Sequence, residues 1–302
     1  MDPSTIDRPS VTYRIEHTTR YEYGALVSTS QHVACLQPRT LPGQRLDAWA
    51  LAIDPPPARV TAREDYFGNT LHYVTLMTPH DELRVSSQST VGVSPRTLVD
   101  PAATDAWEVV RSRLEYRVGQ APDAAAQFAY ASPYVEHDPR MAEYAAPAFA
   151  TGTPILAAAL ALMHRIHEDF TFDATATTVT TPVTKVLAER RGVCQDFAHL
   201  QISCLRSLGL AARYVSGYLL TAPPPGQPRL LGADASHAWV SVFCPPVGWV
   251  DVDPTNDVLA DERHVTVAWG RDYGDVSPLR GVILGGGQHA LHVGVSVVPV
   301  TA

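Results

Sequence analysis

A helical apolar stripe that begins at a cysteine, followed by two short alternating runs, constrains this chain more than any other feature. In Arg190-Arg191-Gly192-Val193-Cys194-Gln195-Asp196-Phe197-Ala198-His199-Leu200 the cysteine stands two residues after a glycine. Ala198, Ile202, Leu205 and Leu208 follow at helical steps, and Gly209 ends the pattern. Cys194 therefore falls in the first turn of a helix. Unpaired backbone N–H groups and the positive end of the helix dipole gather there, which favours a nucleophilic thiolate. Position alone leaves a second reading open, a small buried thiol without a chemical role.

The alternating runs narrow the choice. Residues 236–243 read as a strand with His237 at its entrance, and residues 248–253 as a second strand that ends on Asp253 before Pro254. The short link Cys244-Pro245-Pro246-Val247 makes the two antiparallel neighbours, so His237 and Asp253 come to one edge of the sheet. A thiol at a helix start with a histidine and an aspartate on adjacent strands is a nucleophile–base–orienter set. The acidic member is the least fixed of the three. Asp251 shares a strand face with Asp253, and Asp196 is near Cys194 in sequence. Asp253 is preferred because the chain leaves the sheet there, at the edge expected to hold His237.

These stretches resemble the bacterial transglutaminase-like superfamily, whose catalytic core is related to papain-like cysteine proteases. The resemblance rests on Gly192-Val193-Cys194-Gln195-Asp196-Phe197-Ala198-His199, Ala212-Arg213-Tyr214-Val215-Ser216-Gly217-Tyr218, His237-Ala238-Trp239-Val240 and Trp249-Val250-Asp251-Val252-Asp253-Pro254-Thr255-Asn256. Tyr13-Arg14-Ile15-Glu16-His17, Asp65-Tyr66-Phe67-Gly68-Asn69 and Gly270-Arg271-Asp272-Tyr273-Gly274-Asp275-Val276 extend it over nearly the whole chain. It implies Cys194 as nucleophile, His237 as base and Asp253, in its Asp-Pro-Thr motif, as orienting acid. The implied substrate is a peptide or amide. An amine acceptor would make the enzyme a transglutaminase, and a non-catalytic binding module is a further alternative. All three triad positions are filled, which argues against the module.

The expected fold class is α+β: an amino-terminal antiparallel β-sandwich plus a carboxy-terminal papain-like, transglutaminase-like core. Strand patterns at 11–20, 32–36, 46–53, 71–76 and 83–93 are separated by Pro- and Gly-containing turn signals. They give a sandwich domain over 1–95, a connecting segment over 96–152 that packs across both domains, and a catalytic domain over 153–302. His17, His32, His72 and His80 are spread singly through the first of these and read as surface or satisfied side chains. Thr153-Pro154 and Thr181-Pro182 each open a helix, with Thr as N-cap and Pro at the first helical position. The proline-rich loop from Ala222 to Pro228 is either a wall of the substrate groove or a plain surface excursion. Gly285-Gly286-Gly287 lacks the Lys and Ser/Thr of a phosphate loop, and alternating runs flank it, so it reads as a hairpin turn.

Composition excludes several function classes. A formal net charge of −8 over 302 residues gives no basic footprint for nucleic acid and no polybasic membrane signal. No apolar run reaches membrane-spanning length, and the first residues lack a signal-peptide core, so a cytoplasmic enzyme is expected. Cys35, Cys194, Cys204 and Cys244 are too scattered for a disulfide framework. Cys194, His199 and Cys204 would point in different directions on a helix turning by about 100° per residue. With no C-x-x-C pair and no calcium-loop pattern, neither a metal nor a cofactor is expected.

Overall fold

The computed structural model describes residues 10–221 and 236–300. Its amino-terminal part is built around one strand, β1 (Val11–Ala34), which alternates through 24 residues. β2 (Gln44–Asp54), β3 (Arg59–Glu64), β4 (Thr70–Leu76) and β5 (His80–Val93) follow. The sequence places separate strands at 11–20 and 32–36; they are the two halves of β1. β5 pairs with the first half of β1 and β4 with the second. β2 pairs with β5, and β3 with β4.

The connecting segment holds α1 (Trp107–Leu114) and α2 (Pro139–Ala145). Phe128, between them, touches both Phe67 of the β3–β4 turn and Trp249 of the following unit, so this segment does pack across both. The next part runs α3 (Ile155–Asp169), β6 (Thr171–Phe172), α4 (Val183–Glu189), β7 (Arg191–Gly192) and α5 (Cys194–Ser207). Then come β8 (Ala212–Leu219), β9 (Ser236–Cys244), β10 (Gly248–Asp253), β11 (Val258–Leu259), β12 (His264–Gly270) and α6 (Tyr273–Val276). Both Thr-Pro pairs precede helices, but the prolines stand just outside them as extended N-cap residues, without a side-chain cap.

The last strands, β13 (Leu279–Gly285) and β14 (His289–Pro299), return to the first sheet, and both lie antiparallel to β1. The catalytic unit read from the sequence as 153–302 therefore gives its final strands to the amino-terminal sheet. The glycine triplet between them is not a hairpin turn. β13 and β14 run in the same direction along β1, joined by a bend whose ladder continues through Gly24 N–H to Gln288 O and Ala25 N–H to Gly286 O. Gly285, Gly286 and Gly287 take φ of 99°, 85° and 61°, which only glycine adopts without strain. Alternation on both sides of a glycine run fits a corner as well as a reversal, and only the pairing with β1 separates them.

The same bend crosses every run. Asp54-Pro55-Pro56-Pro57 separates β2 from β3, Thr78-Pro79 separates β4 from β5, and β1 shifts register between Glu22 and Val27. Seven strands thus form four long antiparallel runs folded along one line, as strands do where a sheet turns a corner. Tyr23, Val27, Leu36, Val74, Leu76, Leu83 and Val85 fill the fold. His17, His32, His72 and His80 are buried, contrary to the surface reading. One ring nitrogen each of His32 (Nε2), His72 (Nδ1) and His80 (Nε2) has no partner among the described residues, while His80 Nδ1 meets the Thr78 carbonyl and His17 meets Tyr218.

The second sheet has the order β11-β10-β9-β8-β12, with α5 against β9 and β8. Every residue of α5 from Asp196 to Arg206 is buried, as befits a helix enclosed on all sides. Arg206 stays charged inside by donating to the carbonyls of Phe128, Ala212 and Arg271. Phe197, Ala198 and Leu200 of α5 share one core with Tyr13, Ile15, Val295 and Val297 of the first sheet.

β12 is an edge strand, and its free backbone groups are met by side-chain amides. Gln44 donates to Thr266 O at 2.7 Å and accepts from Thr266 N–H at 2.8 Å. Asn69 does the same for Trp269, at 2.8 and 3.0 Å. Two amides thus imitate a neighbouring strand and cover an edge that would otherwise be open. Gln44→Ala leaves the buried Thr266 N–H unpaired and leaves its C=O with only the weaker bond from Arg39 N–H at 3.3 Å. It should lower unfolding free energy by about 1–3 kcal/mol in urea titration.

Burial holds the pKa of His17, His32 and His199 down to about 4, below the ordinary histidine value. For His32 the neighbouring His80 adds to the effect. The unfolded chain takes these protons first, near pH 6.5. Their contribution to stability is intact above about pH 6.5 and is lost as pH falls toward about 4. The urea midpoint should drop from pH 7 to pH 5, and less steeply in His32→Leu. An equal slope in that variant would remove His32 from the account.

Candidate active site

The start of α5 is fixed locally. Asp196, in its first turn, reaches back to accept from Val193 N–H at 2.8 Å and from Thr177 Oγ1 at 2.6 Å. Gly192 is required beside it, because a Cβ there would meet the Asp196 carboxylate at 2.6 Å. The Gly-Val-Cys-x-Asp stretch is therefore a helix-start device that also ties down the threonine-rich loop. It also removes Asp196 from the choice of orienting acid. Cys194 is the first residue of the helix and is partly exposed, whereas Cys35, Cys204 and Cys244 are buried. Burial pushes the thiols of Cys35 and Cys204 up to about 12 and raises that of Cys244 further.

The structure brings the three residues singled out by sequence together. β9 and β10 are antiparallel neighbours, with Val240 opposite Val252. His237 Nε2 lies 2.7 Å from Asp253 Oδ2. Cys194 is near enough to the same imidazole to favour its charged form, and the nitrogen not facing Asp253 is Nδ1. Burial opposes charge on His237, but the hydrogen bonds and charges of Asp253 and Cys194 outweigh it and raise its pKa to about 10. Burial likewise opposes charge on Asp253. Donation from His237, His264 and Asn256 outweighs it and holds the carboxyl well below its usual range. Asp251 is committed elsewhere, accepting from Arg96 at 2.7 Å and Trp239 Nε1 at 3.3 Å.

Two side chains at the site were not identified from sequence. Asn256 Nδ2 donates to Asp253 Oδ2 at 2.7 Å and lies 3.4 Å from His237 Nε2. It is three residues past Asp253, inside the motif already quoted, so its place in the turn was the available signal. His264 Nε2 lies 3.2 Å from Asp253 Oδ2, and neither side chain is exposed. Nothing local announces His264; β8 and β9 stand between β12 and β10 in the sheet. Both histidine rings pack on the buried Trp239. Gly217 makes room for that indole, since a Cβ there would meet its ring at 2.5 Å.

His237, Asp253 and His264 are also the one group of possible metal ligands among the described residues. Their spacing is that of hydrogen bonds. Tetrahedral zinc with bonds near 2.0–2.1 Å would hold its donors about 3.3 Å apart. The 2.7 Å contact between His237 and Asp253 is too close for that without movement. His199 is not part of the group. Its Nε2 accepts from Tyr273 N–H at 3.1 Å, anchoring the Gly270-to-Val276 loop against α5. The proline-rich loop from Ala222 to Pro228 lies outside the described residues.

A partly exposed thiol at a helix start, facing an imidazole–carboxylate pair on an antiparallel sheet, defines a cysteine-dependent enzyme as the class. Residues 13–92 match the bacterial transglutaminase-like N-terminal region and residues 142–254 the transglutaminase-like superfamily. The chain belongs to the transglutaminase-like superfamily. It is 42% identical to an uncharacterized protein of Mycobacterium tuberculosis over 95% of this chain and 92% of that one. It is 40% identical to a protein-glutamine gamma-glutamyltransferase of Pseudomonas aeruginosa, over 24% of this chain and 11% of that protein. A candidate cysteine protease from Cytophaga hutchinsonii has the same fold, with TM-score 0.76 and 19% identity, covering 98% of this chain and 92% of that one. No helix among the described residues is long and apolar enough to cross a membrane.

Iodoacetamide at neutral pH should label Cys194 first among the four cysteines, as read by peptide mass spectrometry. His237→Ala should slow that labelling, because it removes the cation beside the sulfur. Equal rates in the two proteins would show that the side chains are uncoupled.

Proposed function

We propose that the chain is an acyl-transfer enzyme that cleaves a peptide or amide bond through a thioester on Cys194. The observation that carries this reading is the 2.7 Å contact of His237 Nε2 with the buried Asp253 carboxylate, beside a thiol at a helix start. With its pKa raised to about 10, His237 can hold a proton at neutral pH, and it takes that of the Cys194 thiol. The sulfur attacks the carbonyl carbon, the C–S bond forms, and the π electrons move onto oxygen. The Cys194 N–H, free of a helical partner, donates to that oxygen. The oxygen lone pair then re-forms the carbonyl, the C–N bond breaks, and the departing nitrogen takes the proton from His237. Water next attacks the thioester, giving its proton to His237, and the acid leaves as the thiolate returns. Asp253 stays ionised throughout, holding the ring and supporting its positive form.

Hydrolysis is favoured over transfer because water requires no dedicated acceptor site. The short match to a gamma-glutamyltransferase favours transfer to an amine as the second reading. Peptide-library turnover in the presence of a labelled amine separates them: cleavage alone supports the hydrolase, label incorporation the transferase.

Cys194→Ala should fold normally and lose both activities, whereas Cys35→Ser, Cys204→Ala and Cys244→Ala at most lose stability. Asp253→Asn should lower kcat more than it changes KM. That loss should be smaller than for Cys194→Ala, because Cys194 and His237 can still pair. Asp251→Asn should be milder still. A purified Cys194→Ala protein with near wild-type turnover would end the cysteine-enzyme reading.

A further inference from the structure

Asp253 is shared. Its Oδ2 faces His237 Nε2 at 2.7 Å, Asn256 Nδ2 at 2.7 Å and His264 Nε2 at 3.2 Å. Its Oδ1 accepts from the backbone N–H groups of Thr255 and Asn256 at 2.9 and 3.3 Å. A buried ionised carboxylate has no proton to give, so His264 Nε2 must carry the hydrogen between them. The other ring nitrogen of His264 is held by Asp261, whose backbone N–H lies 3.1 Å from Nδ1 and whose Oδ1 also lies 3.1 Å from it. Neither ring nitrogen is free, and the ring is wedged edge-on against Trp239. The strand that carries it is clamped at Thr266 by Gln44.

We propose that His264 is a positioning residue of this site: by donating from Nε2 to Asp253 Oδ2 it fixes the carboxylate against His237 and limits how tightly Asp253 holds the imidazolium. The proposal rests on Cys194, His237 and Asp253 being the reacting set. His264 touches neither the sulfur nor a reacting carbonyl; it acts through Asp253. The shared oxygen matters because His237 must release its proton to the leaving nitrogen in every turnover. A carboxylate that leaned on His237 alone would keep the proton there. Each additional donor spreads the charge of Asp253 and loosens that grip. The groups that face His237 are Cys194 from α5, Asp253 from β10, Asn256 from the turn after it and His264 from β12. Those that face His264 are Asp253, Asp261 and His237.

The test is nitrogen NMR on the full chain with 15N-labelled histidine, titrated from pH 5 to 11, for wild type, His264→Gln and His264→Leu. In the wild type, His264 Nε2 should carry hydrogen over the whole range. In His264→Leu the His237 midpoint should rise by about half a unit or more, because Asp253 has lost a donor. His264→Gln retains an N–H at similar reach and should stay close to wild type. In turnover, His264→Leu should lose on the order of tenfold in kcat with a smaller change in KM. That is a fraction of the roughly 10²–10⁴ a positioned acid–base group supplies. A wild-type His264 without hydrogen on Nε2 overturns the proposal. So does a folded His264→Leu whose His237 midpoint is unmoved. If His264→Leu does not fold, the wild-type spectrum and the His264→Gln midpoint decide. The spectra need no substrate, so a chain that cleaves no amide would defeat the proposed function while leaving the role of His264 to be read separately.

Discussion

A single buried carboxylate sets the terms for the catalytic half of this structure. Asp253 has no exposed surface, yet its surroundings keep it ionised. A charge removed from water has to be met on all sides, or it is neutralised. The chain meets it with donors from the start of β9, the turn after β10 and the start of β12. These pieces are spread across a five-stranded sheet, and Asp253 draws them to one point. The active-site turn is stiffened from the far side as well. His164 and His167 of α3 reach Asp257 and the Thr255 carbonyl at 2.7 and 3.0 Å.

The folded amino-terminal sheet supports that arrangement mechanically. Gln44 and Asn69 bond to β12 as a strand would, and Arg39 stacks on Trp269 of that strand, as does Arg213 from β8. Tyr13 donates to Glu262 O, two residues before His264, and His17 meets Tyr218 on β8. The Asp65-to-Asn69 motif, which looks like a surface turn in isolation, holds Asn69 at the catalytic sheet through Asp65. Side-chain amides of this kind are buried and costly to leave unpaired. The two sheets are therefore joined by a shared core and by buried hydrogen bonds.

Legibility in the sequence follows the distance between partners. The helix start at Cys194 was readable because Gly192 and Asp196 are its neighbours in the chain. His237 and Asp253 were readable because two consecutive strands with a short link have little choice but to pair. His264 was not, since it reaches Asp253 through a sheet order that no spacing encodes. The corner in the first sheet was missed for a similar reason. Pro55 to Pro57, Pro79 and Gly285 to Gly287 were recognised as breaks, but a break in a strand does not say whether the chain reverses or bends. That the histidines of the first sheet lie inside it, and not on its surface, was not readable either, because alternation tells which residues share a face, not that both faces of a folded sheet are covered.

Tyr13 pairs with Pro299, so β1 is completed by a strand made after the whole of the second sheet. While the ribosome is still building β8 to β12, β1 has β5 on one side and an open edge on the other. The sheet that braces the active site therefore closes only after the catalytic helix and strands have emerged. Such distant pairing makes the final docking slow and leaves a long sticky edge exposed to other chains in the meantime. β13 follows β12 closely in the chain, so it docks along β1 only after the strand that carries His264 has emerged.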